Sequence, residues 1–228
     1  MDKSIRTQVS TAFQSGPDLD GTIHGVRKIQ QGKHGSRSSL FYSAKNEAFI
    51  PVESRLERLY CYTLEKNSEV LKYRSQAIAV PCANYFLYPD FLLLLQNEDV
   101  AVREIKAHVF AASEKNMAKR KFLERTLHET GIDFRVVTDK DMVAGHEQKN
   151  LMMTYDRGGR LPITYLLKET IKKICAQIDE AIHLKLARTH FVSQGLPPQY
   201  VEAAIFHGIL GCDFKLPINC DTMVWRQS

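Results

Sequence analysis

Two short apolar runs, Phe91 to Leu95 and Val100 to Ile105, are separated only by the polar segment Gln96 to Asp99. Runs of this length suit strands rather than helices, and the polar residues between them suffice for a chain reversal, so the stretch predicts a β-hairpin. Because both runs are apolar enough to lie inside a sheet, the hairpin belongs where other elements cover it on each side. The flanking sequence must therefore supply more strands and at least two covering helices.

It does so in a definite order. Glu53 to Glu65 carries Leu56, Leu59, Tyr60 and Leu64 at spacings of three and four, a helical pattern. Short β-prone runs follow at Val70 to Tyr73, Ala77 to Val80 and Tyr85 to Tyr88, interrupted by polar residues and Pro81. Beyond the hairpin, Glu114 to Thr130 predicts a second helix, closed by Gly131 as a C-terminal cap, and Phe134 to Val137 another buried strand. Helix, meander, helix, strand is the order of an α/β fold with a mixed sheet flanked by helices.

The two ends read differently. Residues 1 to about 44 are polar and rich in Gly, Ser and Gln, which predicts an irregular arm that becomes ordered only against a partner. Arg27, Lys28, Lys33, Arg37 and Lys45 make its second half a cationic stretch without Asp or Glu. With Gly and Ser between them, these cations suit a phosphate backbone. After Gly145 a polar stretch to Gly159 predicts a linker, then Ile163 to Leu186 a long amphipathic helix and Pro197 to Leu210 a shorter one. Phe214 to Leu216 and Thr222 to Trp225 predict a terminal two-stranded wing with Trp225 anchored in the core. The expected division is residues 1–146 and a winged helix over 147–228.

Lys and Arg exceed Asp and Glu by 31 to 26, a mild excess that favours a polyanionic partner without requiring one. Five scattered cysteines without C-x-x-C spacing signal neither a disulfide framework nor a zinc knuckle, and eight histidines show no metal-binding spacing. With no apolar leader and no run long enough for a bilayer, a cytoplasmic, nucleoid-associated protein is expected.

Charge on the hairpin is confined to special places. Pro89-Asp90 precedes its first strand, and after thirteen intervening residues Glu104-Ile105-Lys106 closes its second, which fits the pattern P-D-x(n)-[DE]-x-K of nuclease active sites. The two-residue period of a strand puts Glu104 and Lys106 on one face, and the hairpin brings Asp90 beside them. Two carboxylates then converge on a hard cation, Mg²⁺ with Mn²⁺ as a substitute, while the main-chain carbonyl of Ile105 offers a further ligand. Lys106 either orients and deprotonates the attacking water or stabilises the phosphorane charge. Read structurally instead, Asp90 is a turn residue and Glu104 with Lys106 a solvated charge pair. Ser54-Arg55-Leu56-Glu57 fits a helix capping box, yet Glu57, like Glu53 before it, also lies where a helical carboxylate could lean over the sheet. His108 continues the strand face of Lys106, and the helix bearing Lys119, Arg120, Lys121 and Arg125 follows directly and could line a DNA groove.

Taken in register, Arg27-Lys28-Ile29, Glu53 to Glu57, Val70 to Gln76, Tyr88 to Leu92, Glu104 to Lys106 and Val136 to Lys140 resemble the TnsA endonuclease family of heteromeric cut-and-paste transposons. The resemblance covers most of residues 27 to 142. It implies a restriction-endonuclease-like core with Glu57 as helical metal ligand, Asp90 as strand carboxylate, Glu104 as the next metal-facing residue and Lys106 as catalytic lysine. Among these, the ligand role of Glu104 is the one it supports least. It further implies 5′-strand cleavage at transposon ends on double-stranded DNA, beside a TnsB-like transposase and a TnsC-like AAA+ regulator that the C-terminal winged helix contacts. The competing expectations are a catalytically idle DNA-binding adaptor and a free-standing restriction or repair nuclease.

Overall fold

The computed structural model describes residues 4–29, 38–111 and 113–227. Lys33 and Arg37, expected to bind DNA, lie outside the described residues. The chain divides into two compact units, residues 1–142 and 143–228, a few residues ahead of the expected junction.

In the first unit, α1 (Ile5–Ala12) is capped by Ser4, and its Ile5, Val9 and Ala12, with Phe13 after it, lie against the apolar cluster of Val80, Leu92, Val102 and Leu123. Gln8 fastens it, accepting from the Ala79 amide at 2.8 Å and donating to the Ala79 carbonyl at 3.1 Å. A hairpin of β1 (Ser39–Ser43) and β2 (Ala48–Val52) follows. The expected irregular arm is thus corrected: helix α1 and strand β1 form without a partner, because a short apolar stripe suffices when a core stands ready to receive it.

Helix α2 (Arg55–Lys66) starts at Ser54, whose hydroxyl accepts from the Glu57 amide at 3.1 Å. Strand β3 (Val70–Ser75) leads to a small hairpin, β4 (Val80–Cys82) with β5 (Tyr85–Leu87), and then to β6 (Phe91–Leu95) and β7 (Val100–Lys106). A single turn, α3 (His108–Ala111), and α4 (Glu114–His128) cross over to β8 (Asp133–Thr138). Strands β3, β6 and β7 form an antiparallel meander, and β8 joins parallel to β7, giving the order β3-β6-β7-β8. The hairpin, both covering helices and the last strand form where the sequence expectation put them, except that β8, expected to be buried, is an edge strand with only Phe134 buried, and the mixed sheet is flanked by helices. Leu92, Val102 and Phe134 bury one face against Leu123 and Leu127 of α4. Phe91 turns to the other, where its ring lies 5.6 Å from that of Tyr60 on α2. Glu65 in the last turn of α2 accepts from the Ser43 hydroxyl at 2.5 Å and the Tyr73 hydroxyl at 2.8 Å, tying hairpin, helix and sheet together.

The second unit departs further from expectation. The predicted linker is helix α5 (Gly145–Thr154) continued by a π-helical turn, Tyr155–Gly159. Next come α6 (Tyr165–Cys175), β9 (Ile182–His183), α7 (Leu184–Ser193), α8 (Tyr200–Phe206), β10 (Leu210–Cys212) and β11 (Met223–Arg226). The single helix expected over Ile163 to Leu186 is broken, because Ile182 is drawn into a strand opposite Val224. The three strands form an antiparallel sheet of order β10-β11-β9. Its first strand is Leu210–Cys212 rather than Phe214 to Leu216. Trp225, expected in the core, is 40 % exposed and lies over Gly211, while the fully buried Val224 is the anchor. Helix α8 is buried on all sides, and a Cβ on Gly158 would come within 2.2 Å of the Ala203 nitrogen. Gly158-Gly159 is therefore a close-packing device and not a flexible joint. Among the described residues no helix is long and apolar enough to cross a membrane.

Candidate active site

Asp90 stands immediately before β6, where its carbonyl accepts the Gln76 amide at 2.9 Å and extends the β3–β6 ladder. Its Oδ2 accepts the Ile105 amide of β7 at 2.6 Å, so the carboxylate is fastened across the hairpin. Ile105 thus enters the site through its N–H. Glu104 and Lys106 share a face of β7, as the strand period requires, and Lys106 Nζ lies 2.9 Å from Glu104 Oε1 and 3.8 Å from Asp90 Oδ2. Sequence-expected Asp90, Glu104 and Lys106 are therefore brought together.

Glu57 comes from the first turn of α2. It accepts from the Glu53 amide and from the Ser54 hydroxyl, both at 2.8 Å, so the capping arrangement is real but reaches the amide of Glu53 rather than that of Ser54. It is also part of the electrostatic cluster, since its charge acts on both Asp90 and Lys106. Glu53, the rival helical carboxylate, is engaged elsewhere: it pairs with Arg27 and accepts from Gln76 Nε2 at 2.8 Å. Arg27 also lies 5.8 Å from the Tyr88 ring centroid, so this expected DNA-binding cation is answered within the protein, whereas Lys28 and Lys121 are exposed.

Burial dominates the electrostatics. Glu57, Asp90 and Glu104 are 7 %, 8 % and 3 % exposed. Burial first, then the neighbouring Glu104, pushes the Asp90 carboxyl from its ordinary 3.8 up to about 7. Burial likewise raises Glu57, against the Glu53 amide and Ser54 hydroxyl that favour its ionised form. Burial pulls the Lys106 ammonium down, but Asp90, Glu104 and Glu57 together outweigh it and hold the pKa above the usual lysine value. In this state Lys106 holds its proton and acts as the electrostatic partner of the three carboxyl groups.

Two residues of the site had no place in it in the sequence reading, Lys119 being expected only to line a DNA groove and Gln76 carrying no role. Lys119 of α4 reaches Glu104 Oε1 at 2.5 Å, so it is a cation of the site and not simply a groove-lining residue. Gln76, buried and with φ of +45°, links Glu53 to the Asp90 backbone. Its signal was faint: an amide side chain at the end of a strand. His108, expected on the strand face, begins α3 instead, and its Nε2 lies 2.8 Å from Lys140 Nζ. A cavity of about 450 Å³ opens beside Glu104 and Lys106, walled also by Lys119, Arg120, Asn116 and His108.

No protein-family model and no curated protein matches this chain.

Among the described residues, no three His, Cys, Asp or Glu side chains are placed so that they could hold a metal ion as they stand. The reasons are local: Glu104 is turned to two lysines, Asp90 to the Ile105 amide, and Glu57 to its own helix start. The donor set nonetheless suits a hard divalent cation, which takes carboxylate oxygens. Glu104 Oε2 is buried without a hydrogen-bond partner, an arrangement that is costly until something positive meets it.

Proposed function

We propose that the chain is a metal-dependent DNA endonuclease with a restriction-endonuclease-like core, working as a TnsA-type enzyme that cuts 5′ strands at transposon ends. The observation that carries this reading is the meeting of Asp90, Glu104 and Lys106 at one end of a buried hairpin, with two ammonium groups on Glu104 Oε1 and its Oε2 buried without a partner. The order α2, β3, β6, β7, α4, β8, with a parallel last strand, supports the core assignment.

In this reading Asp90, Glu104 and Glu57 would hold Mg²⁺, or Mn²⁺ in its place. Such an ion would supply positive charge at the scissile phosphate and favour the ionised form of Asp90. Lys106 presents its ammonium to the charge that develops on the phosphoryl oxygens. The Ile105 amide keeps Asp90 aimed across the hairpin. Lys28 and Lys121, with the cationic segment that includes Lys33 and Arg37, provide sequence-independent attraction for the duplex.

For the second unit the reading is a winged helix that docks a TnsC-like AAA+ regulator beside a TnsB-like transposase. The order α6, β9, α7, α8, β10, β11 and the β10-β11-β9 sheet support it. Burial of α8 favours a protein partner, because the second helix of such a unit reads bases only when one face is free for the groove.

The test is Mn²⁺ titration calorimetry together with strand-resolved cleavage of transposon-end duplexes, with and without the transposase partner. Wild-type chain should bind Mn²⁺ and cut the 5′ strand, and Asp90→Ala and Lys106→Ala should keep the fold and lose the cut. Uncompromised cleavage by either variant would refute the site. Mn²⁺ binding that is absent, or unaltered by Asp90→Asn, would leave an idle DNA-binding adaptor, and partner-independent cutting of plain duplex would favour a free-standing nuclease.

A further inference from the structure

Glu104 is held by two lysines that are not equivalent. Lys106 leaves the same strand two residues later and is surrounded by Asp90 and Glu57 as well as Glu104. Lys119 comes from another element, α4, and among the described residues its ammonium pairs with no carboxylate other than Glu104. Both ammonium groups share Oε1, while Oε2 is left buried and bare. A rigid strand would not by itself leave one oxygen doubly served and the other unserved. The pattern fits a carboxylate whose free oxygen is kept for a ligand.

Charge decides which lysine yields. The cluster holds three carboxyl groups, Glu57, Asp90 and Glu104, against two ammonium groups. A divalent ion adds two positive charges at the carboxylates and makes one ammonium surplus, and like charges in a partly buried site repel strongly. Lys106 keeps Asp90 and Glu57 as partners after such a change. Lys119 keeps nothing, but the cavity of about 450 Å³ lies directly beside it, with Arg120 and Asn116 on its wall. A four-carbon flexible stem lets the ammonium turn there without moving the helix.

Resting on the metal-site reading above, we propose that Lys119 is a place-holder for the divalent cation. It neutralises Glu104 in the unloaded protein, is displaced as the ion binds, and turns into the adjacent cavity to meet a phosphate oxygen of the nucleic acid. Metal loading and backbone grip are then coupled, and by linkage a bound duplex also tightens the metal. Lys119 is a positioning residue in this scheme and touches no reacting atom.

Mn²⁺ titration calorimetry on the full chain separates this from the reading it rests on. Lys119→Met removes the competing charge and should bind Mn²⁺ on the order of tenfold more tightly, since a hydrogen bond to a charged group no longer has to be broken. Lys119→Gln, which keeps a polar side chain and loses the charge, guards against a packing artefact and should move the same way. Duplex affinity measured with Ca²⁺ present should lose its dependence on the ion in both variants. Unchanged or weaker Mn²⁺ binding in the two variants, with Asp90→Asn still abolishing it, would overturn the place-holder role alone. Retention of Mn²⁺ binding by Asp90→Asn would overturn the metal site and the place-holder together.

Discussion

Each unit buries one glutamate under two cations. Glu104, 3 % exposed, takes two lysines on Oε1 and leaves Oε2 bare, and Glu202, 2 % exposed, takes Arg188 and Arg157 on Oε1 and also leaves Oε2 bare. What differs is the surroundings. Glu104 has Asp90 and Glu57 within electrostatic reach of a shared lysine and a cavity at its side. Glu202 sits on α8, sealed by the backbone of Gly158 against Glu202 and Ala203. A half-satisfied buried carboxylate is thus no site by itself. A second carboxylate and an opening are what make Glu104 a candidate.

The largest expected effect is on the Glu104 side. Asp90→Asn should lower DNA cleavage at least about a thousandfold, an effect of roughly 4 kcal/mol on the barrier, measured by single-turnover cleavage. Next is Glu202→Ala, which leaves Arg188 and Arg157 without their carboxylate and should cost the second unit about 3 kcal/mol, read by urea unfolding followed through Trp225 fluorescence. Glu104→Gln should cost far less stability in metal-free buffer, because it also relieves repulsion on Asp90. Equal losses for the two would erase the distinction between the regions.

The pH dependence follows from the same asymmetry. Folded Asp90 keeps its proton up to about 7, whereas the unfolded chain releases it near 3.8. The native state therefore binds more protons in that window, so this group's contribution falls as pH rises through it, by at most about 4 kcal/mol. Without divalent ions, urea midpoints should decline from pH 5 to pH 8, and Asp90→Asn should flatten that decline. The smallest effect is Arg27→Ala: its pair with Glu53 is half-exposed, so the loss should stay below about 1 kcal/mol and leave Mn²⁺ affinity unchanged.

The first unit was more legible in the sequence than the second, and particular residues say why. Ser54 and Gly131 mark helix ends by local chemistry, and the apolar hairpin admits one arrangement, so α2, β6, β7 and α4 could be read directly. Helix α1 rests on Ile5, Val9 and Ala12, a stripe too brief to stand out from polar neighbours. Gly158-Gly159 resembled a joint because the approach of α8 to that backbone is a tertiary fact. The break between α6 and α7 carries no Pro or Gly; pairing of Ile182 with Val224 imposes it from a distance. At the site, strand alternation exposed Glu104 and Lys106 as a pair, and Asp90 followed from the hairpin. Lys119 did not follow, because a lysine on a basic helix looks alike whether it faces solvent or a carboxylate.

Gly25 packs its backbone where a Cβ would stand 2.2 Å from the Ser75 carbonyl and 2.3 Å from that of Gln76, while the next amide, Val26, donates to Gln76 O at 3.0 Å. Gln76 in turn donates its amide to Asp90. A methyl group at position 25 would therefore be felt as a displaced aspartate: the weak point of the proposed site lies in a segment that carries no chemistry of its own, and variation tolerated along the surrounding polar stretch should stop there.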